Sequence, residues 1–213
     1  MGVPVATAQW IGRRPKFVRT DREVAAKLDA PVAAGKGVGP GYHRLYSVRI
    51  RGAELEPSEI ITAIGGDPNL ASPAHVARFV TERGDDSVLA VGDEFGIELA
   101  GPWDGPVEVI GVESTSFRLR TRPGHAEAGE IEFRCRELGD DLFAFEIESW
   151  ARSSDQLVGL LYDKVGLVRE MQLNMWGHFL ERVAELAGGS VDGDLEVLTD
   201  RHPDGVSAPG GDA

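Results

Sequence analysis

Cysteine is almost absent from this chain of 213 residues: Cys135 stands alone. An internal disulfide and a cysteine-built zinc site are both excluded. Positive charge is scarce as well. Lys and Arg total 22 against 35 Asp and Glu, a formal net charge of -13, the reverse of the balance expected of a protein that binds nucleic acid through its phosphates. No window approaches the roughly 18 apolar residues of a membrane span, and the start MGVPVATAQWIGRRPKF has no signal-peptide apolar run. With the lone thiol, these absences predict a cytoplasmic protein without a membrane span. HExxH, Gly-x-Ser-x-Gly, cysteine pairs and EF-hand loops are also missing, so no metal and no cofactor is expected.

What is present is ordinary globular material, 42% hydrophobic and 27% charged, punctuated by 27 Gly and 12 Pro. Residues 1–38 read as a locally basic arm, with Arg13, Arg14, Lys16, Arg19, Arg22 and Lys27, a surface helix over Arg19 to Leu28 and a glycine-rich linker. That glycine run does not make a phosphate loop, because the β-rich segment YHRLYSVRIR follows it where a helix N-terminus would be needed. From residue 39 a single domain is expected. A strand at 42–51 is followed by two short helices, Pro57 to Ile64 and Pro73 to Arg83, each opened by proline. Strands are then predicted at Ser87–Val91, Glu94–Ala100, Val107–Val112, Ser116–Thr121, Glu130–Leu138 and Leu142–Ala151.

A long helix over 155–187 closes the domain. Ser153 and Gln156 suggest a capping box, Gly188–Gly189 a stop, and Leu157, Leu161, Val165, Val168, Met175, Phe179, Val183 and Leu186 one apolar stripe. Residues 188–213 read as a disordered acidic tail. Strands gathered together with a helix after them give α+β: a curved antiparallel sheet of six to seven strands gripping a long C-terminal α-helix. This is the element order of helix-grip (START/Bet v 1-like) proteins.

The stretch TRPGHAEAGEIEFRCRELGDDLFAFEIESWARS, residues 121–153, resembles the signature of the uncharacterised DUF1990 family. Thr121, Pro123, Gly124, His125, Gly129, Glu130, Phe133, Glu146, Trp150 and Arg152 carry the likeness. Leu119–Arg120 stands where the family has Tyr-Gly, and Ser153 where its second strand ends in proline. The resemblance covers roughly residues 39–187. It implies a helix-grip fold with a cavity for an apolar small molecule, and it assigns no reaction.

Three functions are open at this point. The leading one is a small-molecule-binding protein holding an apolar or amphipathic ligand between sheet and helix, with Trp150, Met175, Trp176 and Phe179 in contact and His125 and Glu146 as polar orienters. The second is an enzyme, a hydrolase, cyclase or isomerase using His125 and Glu146 as an acid/base pair. The third is an interaction module working through the arm and the tail, and a second copy of the chain is also a candidate partner. His125 has a structural alternative, in which its imidazole bonds the backbone of the turn. Strand 142–151 has two: either Glu146, Glu148 and Trp150 face a cavity, or they face solvent while Phe143, Phe145 and Ile147 form the core.

Overall fold

The computed structural model describes residues 16–24, 28–29, 37–85, 88–99, 104–154, 167–203 and 206–207. In chain order the elements are β1 (Phe17–Glu23), β2 (Leu28–Asp29), β3 (Val38–Arg51), α1 (Pro57–Gly66), a short 3-10 turn (Pro68–Leu70), β4 (Ala77–Arg83), β5 (Glu94–Leu99) and β6 (Asp104–Glu113). They continue with β7 (Ser116–Thr121), β8 (Glu127–Gly139), β9 (Leu142–Ser153), α2 (Leu167–Leu186), β10 (Ser190–Val191), β11 (Leu195–His202) and β12 (Val206–Ser207).

The strands from β4 to β9 form a meander of hairpins, which alternation and turn residues predict from β5 onward. Gly139 and Asp141, both at positive φ, turn β8 into β9, and aspartate is among the few side chains that tolerate that region. The main sheet runs β1-β11-β3-β9-β8-β7-β6-β5-β4, with β10 added beside β3. It curves without closing, so β1 and β4 are its edges. The architecture is α+β, with ten strands in this sheet rather than six to seven. Every neighbouring pair in it is antiparallel except β1 and β11, which run parallel.

α1 begins with Pro57 at its first position, and the Glu56 N–H donates to the Glu59 carboxylate at 2.8 Å, satisfying one of the helix's orphan donors. α2 lies on the sheet and is about 30 Å long at 1.5 Å per residue. Its last turn closes with Gly188 at φ 71° and with backbone bonds from Gly188 to Glu185 and from Gly189 to Ala184, the αL ending that glycine favours.

Four expectations are corrected. Residues 19–23, expected in a helix, form β1, because their partner is a strand 178 positions away: Arg22 makes a two-pronged bond to Asp200 at 2.7 and 2.9 Å. Pro73 opens only one turn, and from Ala77 the chain extends into β4. There the Asn69 side chain grips both the N–H and the carbonyl of Phe79, at 2.8 and 2.9 Å. Val88 makes only an isolated bridge to Asp85, and the chain turns at Val91, so no strand forms over 88–91. The segment expected as a disordered tail contains β11, which lies between β1 and β3 with Leu195 and Val197 buried.

As a result α2 is not the last element. Of the helix expected over 155–187, residues 155–166 lie outside the described residues, and Ser153 belongs to β9. Among the described residues, no helix is long and apolar enough to cross a membrane.

Candidate functional site

Period-two alternation divides the sheet's side chains between two unlike faces. Tyr46, Val48 and Ile50 of β3, Phe133 and Cys135 of β8, and Phe143, Phe145 and Ile147 of β9 are buried on the face beneath α2. Met175, Trp176 and Phe179 of α2 are buried against it. Phe179 sits 5.7 Å from Phe133 and 6.3 Å from Phe145, and Trp176 meets Phe133 edge-on at 5.7 Å. These are favourable aromatic separations. Cys135 is part of this packing, and burial pushes its thiol up to about 12, so it is no nucleophile.

Toward the other end of the same face the pattern becomes polar. Arg44 follows the alternation of Tyr46 and is almost fully buried, opposite Thr199 of β11 and Ser149 of β9. Its guanidinium lies 4.6 Å from the Tyr42 ring centre and 3.7 Å from the Glu127 carboxylate. The Gln172 amide reaches down from α2 and donates to the other Glu127 oxygen at 3.0 Å.

His125 lies in the turn that leads into β8. Its backbone N–H donates to the Arg122 carbonyl, and its Nδ1 accepts the Glu127 N–H at 2.9 Å. The ring rests against Gly105, on the α2 side of the sheet, since Gly105 shares its face with the buried Val107 and Val109. Burial holds the imidazole below its usual pKa, against the opposing pull of Glu127. Arg44, Glu127, His125 and Gln172 thus bring one cation, one carboxylate and two neutral polar groups to one end of an otherwise apolar face.

The opposite face carries a charge network. His43 donates from Nε2 to Glu148 at 2.6 Å, has Asp200 at 3.6 Å from Nδ1, and stacks on Trp150 with ring centres 5.5 Å apart. Arg134 bonds Glu146, Glu148 and Glu132, and Arg136 bonds Glu146 at 2.7 Å. Burial would raise the Glu148 pKa, but the bonds from His43 and Arg134 outweigh it and hold the carboxyl below its ordinary value. The bond from Arg22 does the same for Asp200.

The six residues expected to meet a ligand therefore divide between the faces. Met175, Trp176, Phe179 and His125 lie on the α2 side. Trp150 and Glu146 lie on the other, as the second reading of strand 142–151 has it, although Glu146 is buried among arginines and not a solvated surface acid. The structure does not bring His125 and Glu146 together, so the expected acid/base pair is not assembled. Among the described residues, no cluster of His, Cys, Asp and Glu is arranged to hold a metal.

Residues 73–181 match the family model described as a domain of unknown function, DUF1990. The chain belongs to the DUF1990 family. Two solved structures share its helix-grip fold. KanY is 12% identical, with a TM-score of 0.52 over 68% of this chain and 96% of its own. A hypothetical protein from Helicobacter pylori is also 12% identical, with a TM-score of 0.50 over 67% of this chain and 86% of its own. No protein of curated function matches the chain.

Two of the residues that carry the DUF1990 likeness, Thr121 and Gly129, serve as framework. Thr121 Oγ1 accepts the Gly129 N–H at 2.9 Å and donates to the Gly129 carbonyl at 3.2 Å, closing the β7–β8 hairpin beyond its last ladder pair. A Cβ on Gly129 would run into the Trp150 carbonyl oxygen and the backbone of Ala151, so only glycine fits. Arg152 is different. Its Nε is buried with no hydrogen-bond partner among the described residues, and burial lowers its pKa.

Arg44 and Gln172 escape the sequence reading. Arg44 sits in an alternating strand where a charged residue looks solvent-facing, and Gln172 lies on a helix with no polar motif.

Proposed function

We propose that this DUF1990 protein binds a small apolar or amphipathic molecule between the sheet and α2, with the ligand's polar group at the Arg44–Glu127–His125–Gln172 end and its apolar body along Met175, Trp176 and Phe179. One observation carries this reading. Four polar side chains from β3, β8, α2 and the turn before β8 gather at one end of a face that is otherwise apolar and aromatic. Burying a guanidinium and a carboxylate there is costly unless they are held in specific contacts. Convergent polar groups beside an apolar wall are also the usual make-up of a small-molecule site. The opposite face, with Glu146, Glu148 and Asp200 held in ion pairs, offers the ligand no comparable apolar wall.

Native mass spectrometry of the full chain purified from its own source tests the proposal. A retained small-molecule mass, released by organic solvent, is expected. A bare polypeptide mass under conditions that keep the fold would contradict it.

A further inference from the structure

The contact between His125 and the Glu127 backbone decides which imidazole nitrogen carries the proton. A backbone N–H can only donate, so Nδ1, 2.9 Å from the Glu127 nitrogen, must present its lone pair. The Glu127 carbonyl oxygen, 3.1 Å from the same nitrogen, therefore receives no proton from it. A neutral ring that accepts at Nδ1 carries its hydrogen on Nε2, and burial disfavours a second proton. The bond from the residue two positions on mimics an Asx turn and fixes the ring in the loop. On the sheet side, Gly105 makes room for it: a Cβ there would stand 3.3 Å from both Nε2 and Cδ2. No hydrogen bond from Nε2 is found among the described residues. The ring is thus a donor of fixed direction on the α2 face, at the same end as Glu127 and Gln172.

We infer that His125 is a neutral hydrogen-bond donor that offers Nε2–H to an uncharged oxygen of the ligand, a carbonyl above all, and that it does not act as a general base. This rests on the binding reading above. A base needs an unspent lone pair within reach of the proton it takes. Here one nitrogen is spent on Glu127 and the other is already protonated. The ligand class that fits is an apolar body ending in a carbonyl.

The variant that isolates the donor is His125→Asn. Its side-chain oxygen can still accept the Glu127 N–H two residues on, as asparagine does in turns, while the Nε2 donor is lost. Two measurements on the full chain are decisive. Nitrogen NMR of the labelled protein at neutral pH is expected to show a protonated Nε2 and an unprotonated Nδ1; an imidazolium or an Nδ1–H tautomer overturns the inference. Competition against anilinonaphthalene sulfonate fluorescence then compares acetylnaphthalene with ethylnaphthalene, near-isosteres that differ in a carbonyl oxygen.

The wild type is expected to prefer the acetyl compound about fivefold, the worth of one neutral hydrogen bond. His125→Asn should lose the preference at an unchanged melting temperature. A preference that survives in His125→Asn overturns the donor role. If neither compound competes in the wild type, the binding reading falls and the ligand role with it, while the tautomer is still decided by the nitrogen shifts alone.

Discussion

The Gln172 side-chain amide donates to the Glu127 carboxylate at 3.0 Å across 45 positions of chain, tying α2 to the first residue of β8. Because the Glu127 carboxylate also stands 3.7 Å from Arg44 and the Glu127 backbone N–H donates to His125 Nδ1, this one residue links β3, β8, α2 and the preceding turn. The apolar packing of Trp176 and Phe179 begins one helical turn further along α2.

Removing β11 is expected to abolish the fold. The strand lies between β1 and β3, pairs with both, and buries Leu195 and Val197. A chain ending at Gly189 should therefore show neither a cooperative melt nor the far-ultraviolet circular dichroism of the full chain. Retention of both would restore the view of this segment as a dispensable tail.

Acidification is expected to destabilise the protein in two stages. Burial lowers the pKa of His125, and burial together with repulsion from His75 lowers that of His178. Between the folded and unfolded values the unfolded chain binds more protons, so the stability these groups contribute is complete above about 6.5 and is lost as the pH falls through their folded values. Asp200 and Glu148, also lowered, contribute stability that is present above about 4 and lost at more acid pH. Denaturant melts across this range measure the curve. His125→Asn should flatten only the upper stage, and an unaltered upper stage would refute the assignment to His125.

Glu146 and Arg152, both part of the DUF1990 signature and both on the face away from α2, should respond oppositely to loss of charge. Glu146 is buried and holds Arg134 and Arg136, so Glu146→Gln is expected to cost about 2 kcal/mol, the scale of charged hydrogen bonds. Arg152 has its Nε buried without a hydrogen-bond partner among the described residues, and Arg152→Met should cost under about 0.5 kcal/mol, or stabilise. Urea unfolding of the two variants compares them directly. Equal losses would mean that Arg152 has a stabilising role these contacts do not contain.

The meander from β5 to β9 was legible because local signals agree there: alternation within strands and turn residues between them. β1 and β11 were not, because each is stabilised mainly by a partner nearly the whole chain away, and the charged sequence FVRTDRE carries little strand signal of its own. β4 misled through Pro73, which does open a turn, while the clamp that extends the chain comes from the Asn69 side chain. At the site, His125, Met175, Trp176 and Phe179 stood out by residue type. Trp150 and Glu146 did so too, although alternation alone left their face undecided until Phe145 and Ile147 were seen packed under α2.

The two faces offer the most direct measurement of the central claim, because among the described residues each carries one tryptophan reporter: Trp176 in the apolar wall beneath α2, and Trp150 stacked on His43 on the other side. In a titration of the nitrogen-labelled full chain with anilinonaphthalene sulfonate, the indole N–H signal of Trp176 should move together with the backbone signals of Glu127 and Gln172, while that of Trp150 stays in place. Movement confined to Trp150, or no movement at either indole at saturating dye, would contradict a ligand site between the sheet and α2.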